Sequence, residues 1–104
     1  MRGQTLRVEF ADEDWKRLYT EASFRMPRLG TDIVRTYRKK VTLLQAVSDQ
    51  QELRQHKSLR LEKLKGDKAG LHSIRLNDQW RLLLQFETDA TGQLVIVIKV
   101  DDYH

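Results

Sequence analysis

Apolar positions recur with two different periods, and the switch falls near the middle of the chain. Leu6-Arg7-Val8-Glu9-Phe10 alternates apolar and charged residues, as a half-buried strand does. Asp12-Glu13-Asp14 then opens a helix, its carboxylates placed where the helix dipole favours them. Trp15, Leu18, Tyr19, Ala22 and Met26 follow helical spacing and make one apolar stripe, which Pro27 and Gly30 break. A second helix is predicted from Thr31 or Asp32, with Ile33, Tyr37, Val41, Leu44 and Val47 as its stripe. Ser48-Asp49-Gln50-Gln51 resembles a capping box and predicts a further short helical turn through Leu53.

After Lys57 the period moves from 3.6 towards 2. Leu59 and Leu61 alternate with Arg60 and Glu62, and a turn follows between Gly66 and Gly70. Ser73 to Leu76 and Trp80 to Phe86 read as a hairpin around Asn77-Asp78-Gln79, with Ile74, Leu76, Trp80, Leu82, Leu84 and Phe86 on one face. Asp89-Ala90-Thr91-Gly92 turns the chain into Leu94-Val95-Ile96-Val97-Ile98, the most apolar strand candidate. Helices first and a meander afterwards predict an α+β fold: an antiparallel sheet with two N-terminal helices packed on one face. With 104 residues, one domain over 1–104 is expected.

Charge adds a surface to that layout. The formal net charge is +4, but its distribution matters more. Arg25, Arg28, Arg35, Arg38, Lys39 and Lys40 face the single acid Asp32, and a second basic run extends from Arg54 to Lys68. Such clusters either attract a polyanion, nucleic acid above all, or form solvated faces. Without Cys there is no disulfide or thiolate chemistry, and no apolar run approaches a membrane span or a signal-peptide core. A cytoplasmic protein with no membrane partner is therefore expected.

Candidate chemistry gathers in the second half. In the predicted hairpin Leu76 sits opposite Trp80 and Arg75 opposite Arg81, so both arginines project from the face away from the Trp80 stripe. Like charges across a ladder repel, so this pair either holds an anion or splays into water. Lys65 precedes Gly66, but no GxxxxGK[ST] pattern makes this a nucleotide loop. The sequence closes on Asp101-Asp102-Tyr103-His104, directly after the apolar strand that would hold it still. Cleavage of RNA through its 2′-hydroxyl needs a base, an acid and cations for the phosphorane. His104 suits proton transfer, Asp102 and Tyr103 could orient it or the nucleotide, Tyr103 could stack on a base, and Lys65 and Arg81 would hold the phosphate. Lys63, Lys68, Arg75, Arg38 and Lys39 are the further RNA-binding candidates. His56 and His72 lack ligand spacing, so no metal or other cofactor is expected.

Three blocks carry a resemblance: Leu64-Lys65-Gly66-Asp67-Lys68-x-Gly70, Ser73-Ile74-Arg75-Leu76-Asn77-x-Gln79-Trp80-Arg81, and Asp102-Tyr103-His104. Together they resemble the HigB family of toxins within the RelE/ParE superfamily of toxin–antitoxin systems. The resemblance implies a microbial RNase-like (RelE-like) fold and metal-free, ribosome-dependent cleavage of mRNA in the 30S A site. It also implies neutralisation by a HigA-like helix-turn-helix antitoxin. By motif position it implies catalytic roles for Lys65, Arg81, Asp102, Tyr103 and His104. Many members carry His two residues before the Leu of the first block, where this chain has Glu62, itself a candidate base. The alternatives are a ParE-like toxin that inhibits DNA gyrase without cutting RNA, and a catalytically weak RNA-binding domain.

Overall fold

The computed structural model describes residues 5–102, so Tyr103 and His104 lie outside the described residues. Strand β1 (Arg7–Phe10) leads into helix α1 (Glu13–Thr20), then α2 (Thr31–Ala46) and α3 (Gln50–Arg54). Next come β2 (Glu62–Lys63), β3 (His72–Arg75), β4 (Trp80–Asp89) and β5 (Gly92–Asp102), with single 3-10 turns at Lys57–Leu59 and Gly66–Lys68. The strand order is β1-β5-β4-β3-β2.

Local chemistry explains most boundaries. Asp12 caps α1 by accepting from the Asp14 N–H at 2.9 Å. The apolar stripe predicted to continue to Met26 does not stay helical, because α1 stops at Thr20. The Arg38 side chain from α2 accounts for the stop. Its Nε donates to the Leu18 carbonyl at 2.8 Å and its Nη2 to the Glu21 carbonyl at 3.2 Å, which satisfies acceptors that another turn would have used. Helix α2 follows its predicted stripe, with Ile33, Tyr37, Val41 and Leu44 buried. The capping box is shifted by one residue: Asp49 is the N-cap of α3, accepting from the Glu52 N–H, while Glu52 accepts from the Ser48 N–H. The expected strand around Leu59 to Glu62 shrinks to Glu62–Lys63, since Leu59 ends a 3-10 turn and Arg60 takes the left-handed conformation at φ 51°.

The sheet is mixed rather than antiparallel. β2 to β5 form the expected meander, but β1 runs parallel to β5, pairing Arg7 with Leu94 through Phe10 with Val97. The intervening chain crosses over through the helices, the connection a parallel pair needs. The third, short α-helix is the helical turn expected through Leu53, so three helices rather than two precede the meander. The helices pack on one face of the sheet, sharing a core of Trp15, Leu18, Tyr37, Val41, Leu44 and Leu53 with Ile74, Leu82, Leu84, Val95, Val97 and Val100. Tyr37 is fully buried and donates its hydroxyl to the Trp15 carbonyl at 2.7 Å, locking α2 to α1. Among the described residues, no helix is long and apolar enough to cross a membrane.

One irregularity in β5 decides which of its residues lies across from Arg81. Leu84 pairs with Val97 but Leu83 pairs with Lys99, so Ile98 is an extra residue in β5. Val97 and Val100, three apart, would face opposite sides of a regular strand. The bulge lets both enter the core, and both are fully buried. It also advances the register by one residue beyond that point, so Asp101 comes opposite Arg81.

Candidate active site

The sheet face away from the helices carries the candidate chemistry. The hairpin register is as predicted: Arg75 lies opposite Arg81, and Ile74 opposite Leu82 on the core side. Asn77 closes the loop by accepting from the N–H groups of both Gln79 and Trp80 at 2.8 Å. Ser73 and Leu83 pair with each other on the outer face, and both are buried. Ser73 in turn pairs with Glu62 of β2. The alternation of β2, β3 and β4 therefore puts Glu62, Ser73, Arg75, Arg81 and Leu83 on one surface.

Arg81 is the hub. Its side chain is only 16% exposed, and Nη1 lies 3.8 Å from Glu62 Oε1. The same nitrogen donates to Ser73 Oγ and to the Arg60 carbonyl, each at 3.4 Å. Burial of the stem on one side and these acceptors on the other restrict the guanidinium to one direction. Arg75 is engaged by the Asp78 carboxylate from the hairpin loop, which offsets part of the repulsion between facing arginines. Arg60, Arg75, Asn77, Asp78 and Arg81 line a recess of about 210 Å³. Three guanidinium groups around such a recess provide forked donors suited to the oxygens of a phosphodiester.

A second cluster adjoins it. Asp101 lies opposite Arg81 and forms ion pairs with Lys68 at 4.0 Å and with Lys99 at 3.9 Å. Lys65 is exposed and caps the 3-10 turn containing Lys68, next to Gly66 at φ +70°. That conformation suits glycine and places the turn at the edge of the sheet.

The predicted residues divide into groups. Glu62, Arg75 and Arg81 come together, with Lys68 linked through Asp101. Asp102 pairs with Trp80 in the ladder, on the other parity from Arg81, and accepts from Gln79 Nε2 at 3.3 Å. Lys63 pairs with His72 and so points to the helix side of the edge strand. Arg38 and Lys39 sit on α2, in the helical layer, with Arg38 engaged by the carbonyls at the end of α1. Tyr103 and His104 lie outside the described residues. Sequence reasoning passed over Arg60, Ser73, Lys99 and Asp101. Ser73 and Asp101 stood in the noted blocks, but only the register shows which way they point. His72 is buried against the Phe86 ring, its centroid 5.0 Å away, and neither ring nitrogen has a hydrogen-bond partner among the described residues. Burial, with Arg54 and Lys63 nearby, lowers its pKa below the ordinary histidine value. It is a core residue, not part of the site. Among the described residues, no three His, Asp or Glu side chains gather in a group able to hold a metal ion.

Comparison with known proteins agrees with this architecture. The solved YoeB/ParE toxin from Agrobacterium tumefaciens superposes with a TM-score of 0.56 at 16% identity, over 95% of this chain and 100% of that one. A YoeB-YefM complex from Staphylococcus aureus gives a TM-score of 0.49 at 16% identity, over 95% of this chain and 97% of that one. No curated protein matches. The family model described as the RelE-like toxin of type II toxin-antitoxin system HigB matches residues 8–104. The chain therefore belongs to the HigB-like toxins, RelE-like toxins of type II toxin–antitoxin systems.

Proposed function

We propose that this toxin is an endoribonuclease that cuts mRNA in the A site of the ribosome, without a metal, and that a HigA-like helix-turn-helix antitoxin neutralises it. The observation that carries the reading is the setting of Arg81. One guanidinium is fixed between a carboxylate and a hydroxyl, beside an arginine-lined recess, on the sheet face away from the helices. A phosphodiester seated on Arg81 and Arg75 places its 2′-hydroxyl within reach of Glu62. Glu62 takes the 2′ proton, the 2′ oxygen attacks phosphorus, and the bond to the 5′ oxygen breaks. The departing 5′ oxygen receives a proton from His104, and the products are a 2′,3′-cyclic phosphate and a 5′-hydroxyl. Lys65 and the arginines stabilise the charge that builds on the phosphorane oxygens. Asp102 and Tyr103 orient the tail and the flanking base.

The test is cleavage of a reporter mRNA in a reconstituted translation reaction. Arg81→Ala should lower the rate by about 10²–10³-fold, the cost of losing one preorganised donor. Deleting His104 should cost about 10²–10⁴-fold, the contribution of a general acid. Wild-type rates in both variants would remove the catalytic reading and favour inhibition of gyrase.

A further inference from the structure

A surface cavity lies in the helical layer, on the other side of the sheet from Arg81. It is a groove of about 490 Å³ between α2 and the segment that joins α1 to it. Phe24, Met26, Leu29 and Val34 form an apolar floor, and Arg25, Arg35, Arg38 and Lys39 rim it. Along α2, positions 31, 34, 35, 38, 39 and 42 contribute, which is one face of the helix followed for three turns, about 16 Å. Arg38 ties the far wall to α2 through the Leu18 and Glu21 carbonyls, and the Arg17 guanidinium lies 4.2 Å from the centre of the Phe24 ring. The groove is therefore braced from both sides.

From this geometry we infer that the groove seats an acidic amphipathic helix of the antitoxin. The inference rests on the toxin–antitoxin reading above and names a docking surface for that partner. The floor wants apolar side chains at i, i+3 or i+4 and i+7, the pattern of a helix laid in a groove. The rim wants carboxylates beside that stripe, because four cations face it and Asp32 is the only acid on α2. RNA would satisfy the rim and offer a base to Phe24, but it would leave Met26, Leu29 and Val34 without an apolar counterpart. The charges on this face and those around Arg81 then serve different partners, which explains why the chain carries two separate basic regions.

The probe is the purified HigA-like antitoxin of the reading above, titrated calorimetrically into the toxin. Arg25→Glu with Arg35→Glu changes two exposed rim residues, and Val34→Glu changes the floor. Both variants should bind the antitoxin about tenfold or more weakly, with thermal melting near wild type for the rim pair. Growth arrest without antitoxin should persist in the rim pair. Wild-type affinity in both variants overturns the inference. So does loss of ribosome binding in the rim pair with antitoxin affinity intact, which would make the groove an RNA surface. Antitoxin affinity is readable whether or not the protein cuts mRNA, so failure of the nuclease reading and failure of the docking surface are separable.

Discussion

Replacing Glu62 with Gln separates binding from catalysis at the proposed site. The substitution keeps the shape and removes the negative charge 3.8 Å from Arg81. At that distance a pair of unit charges interacts by about 1 kcal/mol in water and about 4 kcal/mol at an effective dielectric of 20. Glu62 is 53% exposed, so solvent screens the pair, and about 0.2–1 kcal/mol is the appropriate range for an exposed ion pair. A phosphate arriving at Arg81 must displace that interaction. Glu62→Gln should therefore tighten RNA binding by about 1.4- to 5-fold. The same change removes the base, so the cleavage step should slow by about 10²–10⁴-fold. Single-turnover cleavage on ribosomes programmed with a defined mRNA measures both quantities. The account requires a lower half-saturating concentration together with a much lower maximal rate. A maximal rate within about threefold of wild type would refute Glu62 as the base and leave it as a competitor for Arg81.

Two further predictions concern the frame that holds the site. Tyr37→Phe removes the buried hydroxyl that donates to the Trp15 carbonyl; it should cost about 0.5–1.5 kcal/mol and lower the melting temperature by about 4–8 °C per kcal/mol. An unchanged melt would show that the bond between α1 and α2 contributes nothing net. His72 is held below its ordinary pKa of 6.5, chiefly by burial, so the unfolded chain binds the proton more readily than the folded one. Stability should then fall as pH drops below 6.5 towards the folded pKa, and His72→Leu should flatten urea midpoints measured across that window.

Much of this fold is legible in the sequence because local rules dominate it. The stripe of α2 and the Leu76–Trp80 hairpin depend on side-chain period and turn chemistry, and both appear where the pattern puts them. The early end of α1 depends on Arg38, twenty residues beyond Leu18, and a local pattern carries no sign of that contact. The parallel pairing of β1 is equally non-local. The site shows the same division. The facing of Arg75 and Arg81 follows from a three-residue loop, but the partner of Arg81 across β5 depends on the bulge at Ile98. Were Ile98 paired regularly with Leu83, Arg81 would oppose Val100; with Ile98 bulged out, Asp101 takes the place and Val100 is buried. Apolar alternation in Leu94 to Ile98 gives no warning of the slip, since every residue in that run is apolar.

The most direct test of the central claim is primer extension on cellular mRNA after brief induction of the toxin without its antitoxin. The account predicts new 5′ ends inside translated reading frames, absent when initiation of the same message is blocked and absent with Arg81→Ala. Intact mRNA during growth arrest, together with accumulating gyrase-linked DNA breaks, would contradict it.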